Sequence, residues 1–588
     1  MLQDETTDRP ETSGDAATAG HMSFGLAVTP LPESARRYNP VRLEATEEIG
    51  RPYEVVLDLV GSPGSPDLRA KDFLGRPLQV TYTWKSADSG GTRRWSGIVM
   101  RFAYMGKVGP NARPWFRVTL VPQLALSGLG RRSRVLAKGE GGVYTTPKDL
   151  LAYVLKRLGV DADLGHVQND AALACPPQEF FIQFEESDLA FVSRIAETYG
   201  ISYFWKPATA EAASSLVFTD NNFGFGTCLS DPLTVDGNIG TSSHSRGLSR
   251  LEMHYGLLPS LARAVAWQPP TAPGKGVDGV VRTGQFAHRN SAALQEFGYK
   301  SATDSTVDVT APLPTDGICG WNEPVVSPDP SWDSANKAMD WANHLAKMRL
   351  AEEAMQAIRL RACSNLDEFF AGGIFTLPAN RLPTLPADTD ADFLVTAIRH
   401  LVRVQGADLV DGGAKPGSRG AYENWFEAVA TRLGTARNLD YRPPRRTPVP
   451  APAILRTGTL VARQDTPATK PNLDAEGRYL VLPDIAVEKI EDNPRPNSPP
   501  TALTGIRMPL LAAYGGAPVG SPAVATGMHL PLHPKQTVLV SFAAGLERPF
   551  IAGLLPDKYQ PSPVNADTWS QGIIRSASGI TVRITDNV

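Results

Sequence analysis

Between residues 38 and 126 the chain runs in short stretches where apolar or β-branched side chains alternate with polar ones, and glycine or proline stands between them. Tyr53-Glu54-Val55-Val56-Leu57-Asp58-Leu59, Leu78-Gln79-Val80-Thr81-Tyr82-Thr83-Trp84 and Trp115-Phe116-Arg117-Val118-Thr119-Leu120-Val121 show the pattern, and Arg94 to Met105 continues it. A period of two sends one set of side chains to a core and the other to water, so such runs are satisfied by pairing in an antiparallel sheet. Glycine (52) and proline (50) make up about 17% of the 588 residues, above the ~12% of average usage. That supplies the turns of a many-stranded fold and disfavours a coiled coil. Comparable runs return within 240–405 and 453–556. The expected class is mainly β with α+β inserts.

The period changes at two places between residues 146 and 200. Thr146 is placed as an N-cap, Pro147 at the first helical position, Leu151, Val154, Leu155 and Leu158 form a stripe, and Gly159 ends it. A second helix is expected from Ser187 or Asp188 to Tyr199, with Phe191, Val192 and Ile195 inward and Gly200 as its stop. A third, the longest, is expected over 334–361, where Ala338, Trp341, Leu345, Met348, Ala351, Met355 and Ile358 recur three or four apart.

These patterns divide the chain, which at ~100–200 residues per domain has room for several. The reading is an acidic disordered tail over 1–30, a first β module over 31–130, an α+β unit over 131–239 and a second mostly β module over 240–405. A proline-rich linker over 406–452, a five-stranded barrel of the OB type over 453–560 and a last β segment over 561–588 complete it.

Charge and cysteine usage remove several functions. Lys plus Arg (58) against Asp plus Glu (61) leaves a net charge of −3, so no positive field is available for phosphate backbones, and nucleic acid is not expected as a partner. Cys175, Cys228, Cys319 and Cys363 are scattered without a CxxC pair, which points to buried thiols rather than a disulfide framework or zinc site. No run approaches the ~18 apolar residues of a membrane span and the start, Met1-Leu2-Gln3-Asp4-Glu5, lacks a basic and apolar leader. The expectation is a soluble chain made in the cytoplasm.

The strongest candidate for chemistry is Gln183-Phe184-Glu185-Glu186-Ser187-Asp188, because paired carboxylates are what glycoside hydrolysis needs. Ser187 and Asp188 also fall where a helix starts, and Arg194 and Glu197 stand on that helix for a local ion pair, so the structural reading is preferred. His529 and His533 are spaced for a shared zinc on a helix, but Pro531 between them forbids one and no H-E-x-x-H glutamate is present. Ala272-Pro273-Gly274-Lys275-Gly276 lacks the upstream glycine of a P-loop, and there is no G-x-S-x-G elbow. No catalytic, cofactor-binding or metal-binding residue is assigned, and no cofactor is expected.

Several blocks, taken in order, resemble the VgrG-type spike proteins of type VI secretion and, more broadly, the hub-spike proteins of contractile injection systems and phage tails. They are the 183–188 block with Phe191-Val192-Ser193-Arg194-Ile195 and Glu197, then Gly200-Ile201-Ser202-Tyr203-Phe204 and Leu216-Val217-Phe218-Thr219-Asp220. Tyr422-Glu423-Asn424-Trp425-Phe426, Tyr441-Arg442-Pro443 and Glu547-Arg548-Pro549-Phe550-Ile551-Ala552-Gly553-Leu554 follow. The resemblance implies tandem hub barrels, an OB-fold and the start of a trimeric β needle. It also implies a non-enzymatic homotrimer that adapts a hexameric inner tube to a threefold puncturing tip. Its partners would be that tube protein, baseplate proteins, a PAAR-like tip protein and effector cargo. It would be assembled in the cytoplasm and ejected with the particle. The needle is either short or cut off after Ile580-Thr581-Val582-Arg583-Ile584. The alternatives are a spike carrying a lysozyme-like activity, which would have to use Glu185, Glu186 and Asp188, and an extracellular carbohydrate-binding assembly.

Overall fold

A computed structural model describes residues 23–585 apart from 86–89, 138–145, 169–179, 209–212, 230–246, 257–260, 268–280, 288–318, 327–334, 379–389, 405, 411–420, 434–438, 451–454, 464–469, 475–476, 486–504, 513–514, 517–525, 543–548 and 559. Residues 1–22, the Gly-Lys turn at 272–276, Cys175, and Glu547 and Arg548 of the 547–554 block therefore lie outside the described residues, as do the side chains of Ala338 and Trp341.

The first six strands are β1 (Ser23–Thr29), β2 (Tyr38–Glu48), β3 (Arg51–Gly61), β4 (Pro77–Lys85), β5 (Gly90–Val108) and β6 (Arg113–Val121). They pair in the order β1-β4-β5-β6-β3-β2, all antiparallel, and wrap Leu43, Val55, Leu57, Val80, Tyr82, Phe116 and Val118 into one core. After the short α1 (Gln123–Leu126) come β7 (Arg132–Ala137), α2 (Pro147–Arg157), β8 (Ala162–His166), β9 (Phe180–Glu186), α3 (Asp188–Thr198), β10 (Ser202–Lys206) and β11 (Ser215–Thr219). Both helices start as their sequence dictates: the Thr146 hydroxyl accepts from the Asp149 N–H at 3.2 Å and the Ser187 hydroxyl from the Ala190 N–H at 3.1 Å. Gly200 ends α3 at φ +68°, and a Cβ there would meet the Met348 sulfur.

The remaining hub strands are β12 (Gly226–Thr227), β13 (Leu248–Tyr255), β14 (Leu261–Trp267), β15 (Val281–Ala287), β16 (Cys319–Val326), β17 (Ile358–Ser364), β18 (Gly373–Leu377), β19 (Ala391–Arg403) and β20 (Ala421–Leu433). Strand β19 pairs antiparallel with β2 from Ala397↔Glu48 to Arg403↔Arg42, and the order continues β19-β20-β17-β13. The two β modules are therefore halves of one 12-stranded sheet. Strands β15-β14-β16 form a separate sheet against which the long helix Ala335–Ala354 packs.

Three expectations are corrected here. Residues 23–29, taken into the tail, pair with β4, with Phe24 and Leu26 packed against the first core and Val28 buried in it. Residues 421–433, taken into the linker, form β20, whose Tyr422, Asn424, Phe426 and Ala428 point inward by simple alternation. The long helix stops at Ala354, and Ile358, counted on its face, opens β17, where Ile358, Leu360 and Ala362 alternate inward. Among the described residues of 240–405, β14–β16 form a sheet of their own beside the strands of the large one.

The carboxyl-terminal strands are β21 (Arg456–Leu460), β22 (Tyr479–Pro483), β23 (Ile506–Met508), β24 (Gly515–Gly516), β25 (Thr526–Gly527), β26 (Thr537–Phe542), β27 (Pro549–Leu554), β28 (Gln571–Arg575) and β29 (Thr581–Thr585). A five-stranded sheet, β23-β22-β21-β26-β27, encloses Leu460, Tyr479, Val481, Met508, Val538, Val540 and Ile551. Val135, Ile182 and Phe184 of β7 and β9 share that core, so the barrel sits directly on the α+β unit. Beyond it, β28 and β29 form an isolated antiparallel hairpin.

Candidate functional site

The 183–188 block is a fastening corner. Pairing shifts between Arg132↔Glu186 and Arg134↔Gln183, a bulge that leaves Glu185 at φ +48° with its side chain exposed. Asp188 is held by the Arg134 guanidinium at 2.7 Å and by Arg132 at 3.0 Å, and Arg134 also donates to the Gln183 side-chain amide oxygen at 2.7 Å. Glu186 accepts a two-pronged bond from Arg194 at 2.6 and 3.1 Å. Burial pushes the Glu186 carboxyl up from its ordinary value while Arg194 pulls it down. Each inward carboxylate thus has its own arginine, and Glu185 faces Arg456 of the barrel at 3.5 Å. Arg194 pairs with Glu186 rather than with Glu197, which turns to another segment altogether. The block tethers β7, β9, α3 and the barrel, and it offers no free acid and base facing one substrate.

His529 and His533 lie on non-helical chain, where the His529 ring packs 6.3 Å from that of Tyr479 and the His533 N–H donates to the Gln536 side chain at 2.7 Å. Burial pushes the Cys228 thiol up to about 12, an inert group.

A second polar cluster escaped the sequence reading. At the seam where β2 meets β19, the Glu47 carboxylate accepts from Arg93 at 2.6 Å, from the Trp95 indole at 2.9 Å and from the Ala371 N–H at 3.3 Å. Arg93 also donates to the Asp367 and Phe369 carbonyls at 2.8 and 2.6 Å. Across the seam His400 Nδ1 lies 2.7 Å from the Tyr422 hydroxyl, which accepts from Asn424 at 3.2 Å, and His400 Nε2 lies 3.5 Å from Glu47. This set is consistent when Tyr422 donates to Nδ1 and the neutral ring turns its Nε2–H toward the carboxylate. Burial alone would push Glu47 up, but the Arg93 charge and the His400 and Trp95 donors hold it well below the usual carboxylate range. The signal was available: Glu47 follows Leu43 and Ala45 in phase, and His400 stands in phase with Ile398 and Val402, so both are polar residues at inward strand positions.

The other face of the second half-sheet is open. Arg361 meets Glu427 at 2.9 Å, Arg399 meets Glu44 at 2.7 Å, and the Arg399 guanidinium lies 5.9 Å from the Trp425 ring centre. A groove of about 460 Å³ runs along it, lined among others by Arg250, Glu252, Cys363 and Trp425. The paired charges give a mixed surface rather than a cationic one. The third exposed feature is the terminal hairpin, whose Ile580, Val582 and Ile584 are 72, 54 and 66% exposed, with Ile574 and Trp569 beside them at 55 and 68%.

A long antiparallel sheet fused from two halves, with an α+β unit and a five-stranded barrel beside it, is the scaffold of a tail hub, and a profile of the phage tail baseplate hub (GPD) family matches residues 46–406. The chain belongs to that family. Among curated proteins it is similar to type VI secretion system spike proteins of Pseudomonas aeruginosa, being 28% identical to VgrG4b over 179 residues and 31% to VgrG1c over 167. Those matches cover 30 and 28% of this chain but only 20% of each relative's length. Among solved structures, the lidless PdpA–VgrG complex matches with a TM-score of 0.55 at 11% identity, over 96% of this chain and 94% of that one. The half-lidded Francisella PdpA–VgrG complex matches with 0.52 at 10% identity, over 96 and 84%. At such identity the likeness is one of fold. Among the described residues no helix is long and apolar enough to cross a membrane.

Proposed function

We propose that the chain is the hub and spike of a contractile injection system, acts as a homotrimer without catalysis, and links a sixfold inner tube to a threefold puncturing tip. The observation that carries this reading is the terminal hairpin. An isolated two-stranded hairpin is marginal in water, and this one has Ile574, Ile580, Val582 and Ile584 exposed, so it is a surface waiting to be covered. Three copies wound about one axis would cover those side chains and pair the open strand edges. The same three copies would present six half-sheets, which is how a threefold object can match a sixfold tube. The proposed partners are that tube protein, baseplate proteins, a PAAR-like tip protein and effector cargo, with assembly in the cytoplasm and export in the particle. The proposed units are the two half-sheets as hub, 456–554 as OB barrel and the 571–585 hairpin as needle start.

The test is the mass of the full chain in solution by light scattering. A trimer is expected, with Ile580→Asp combined with Ile584→Asp loosening it and lowering hydrogen-exchange protection in 571–585. A wild-type monomer at micromolar concentration overturns the trimer. The purified chain is also expected to leave peptidoglycan intact, because Glu186 and Asp188 are engaged by arginines. Turnover that Glu186→Gln abolishes would establish the enzymatic alternative.

A further inference from the structure

We infer that residues 439–447 are a latch rather than a passive linker, and that Glu197 is its catch, fixing the direction in which the chain leaves the hub for the barrel. The segment Leu439-Asp440-Tyr441-Arg442-Pro443-Pro444-Arg445-Arg446-Thr447 has the composition of a solvated polyproline connector. In the structure the N–H groups of Tyr441, Arg445, Arg446 and Thr447 are caught by hub side chains. Asn222 brackets the chain with its amide, donating to the Leu439 carbonyl and accepting from the Tyr441 N–H, both at 2.9 Å. Pro443 and Pro444 have no N–H to offer. Immediately after them the Arg445 N–H donates to Glu352 at 3.0 Å, and the Arg446 and Thr447 N–H groups donate to one oxygen of Glu197 at 2.9 and 2.7 Å. The Thr447 hydroxyl donates to the other Glu197 oxygen at 2.8 Å. Arg446 reaches Glu48 at the end of β2, so the strap crosses the place where β2, α3 and the long helix meet.

Glu197 makes little sense without the strap. It stands in the last turn of α3, where a negative charge opposes the helix dipole and no basic residue offsets it, yet it is only 6% exposed. Three hydrogen bonds from the strap account for both its burial and its charge. A connector held by sheet pairing would be fixed by many equivalent bonds, whereas here Leu439 to Arg442 are anchored by Asn222, by the Arg442 guanidinium and by the buried Tyr441 ring, and residues 446 and 447 depend on the single carboxylate of Glu197, so one side-chain change frees that end. The barrel would stay on the hub, since Arg456 packs 4.8 Å over the Phe184 ring and Val135, Ile182 and Phe184 remain in its core. The latch therefore concerns the path between hub and barrel, and it stands whether or not the chain is a trimer.

Trypsin reads the latch directly in the full chain, because the Arg445–Arg446 and Arg446–Thr447 bonds lie inside the strap. When opening is fast, cleavage tracks the population of the open form. Losing a charge-assisted acceptor in Glu197→Ala is expected to speed cutting at those two bonds by at least about tenfold, with circular dichroism and cutting elsewhere unchanged. Amide protection at Arg446 and Thr447 should fall, and Glu197→Gln should lie between. Thr447→Val, which removes one hydroxyl and leaves both N–H donors, is expected to give a smaller increase at the same bonds. The inference is overturned if a folded Glu197→Ala chain is cut in the strap at the wild-type rate. It is equally overturned if Glu197→Ala opens the whole hub to trypsin while Thr447→Val changes nothing.

Discussion

Replacing Arg93 with methionine is expected to lower hub stability by about 3–5 kcal/mol, and Glu47→Ala by a similar amount, because each change strands a buried charge. Arg93 is 4% exposed and serves Glu47 and two carbonyls, while Glu47 takes donors from β5 and from the chain before β18. Taking away the arginine leaves the carboxylate without its counter-charge and two carbonyls without donors. Taking away the carboxylate leaves a guanidinium in an interior with little water to solvate it. The pair is therefore costly to break singly, and the double variant Glu47→Leu with Arg93→Met is expected to lose markedly less than the sum of the two. Denaturant unfolding followed by tryptophan fluorescence reports on the site, since the Trp95 indole is bonded to Glu47. Single variants that unfold within about 1 kcal/mol of the wild type would show that the seam is not held by this ion pair.

The seam also explains which parts of the molecule were legible in the sequence. The first half-sheet was, because Leu43, Val55, Leu57, Val80 and Val118 alternate with polar neighbours and the pattern reports local geometry. The starts of α2 and α3 were, because Thr146 and Ser187 act within a single turn. The fusion of two modules into one sheet was not, because β2 and β19 pair across about 350 residues and alternation does not name a strand's partner. Strand β20 was hidden between glycines at 406–420 and prolines from 443 onward, which made the whole stretch look irregular although Tyr422, Asn424 and Phe426 keep perfect phase. The 183–188 block was legible as a helix start, but its arginine partners Arg134 and Arg132 sit some 50 residues upstream, beyond local reading. The strap was the hardest to see: its proline content argues against helix or paired strand, but Glu197, Asn222 and Glu352, which hold it down, come from three distant stretches.

Lowering the pH from 7 to about 4 is expected to remove roughly 3 kcal/mol of hub stability through His400 alone. Burial, with the Arg93 charge beside it, pushes the imidazole down to about 4 from its ordinary 6.5, and the contact with Glu47 offsets only part of that. Between those two values the unfolded chain binds a proton at His400 and the folded chain does not. Stability therefore falls as the pH drops through this window and is fully restored above 6.5. Charging the ring would require Tyr422 to stop donating to Nδ1 and would set a second cation beside Arg93. Glu47 works in the same direction further down: its folded carboxyl stays ionised where the unfolded one, near 4.5, takes up a proton. The groups facing the imidazole are Glu47 from β2, Arg93 and Trp95 from β5, Asp367 from the turn after β17, and Tyr422 and Asn424 from β20. All are buried or nearly so, so added salt should screen the effect little. Unfolding midpoints measured at pH 7 and 4.5 should differ by most of this amount in the wild type. In His400→Gln, whose amide oxygen can still accept from Tyr422, the difference should shrink to the residue left by ordinary carboxylates. An unchanged pH dependence in that variant would mean that His400 is not the group that makes the hub acid-sensitive.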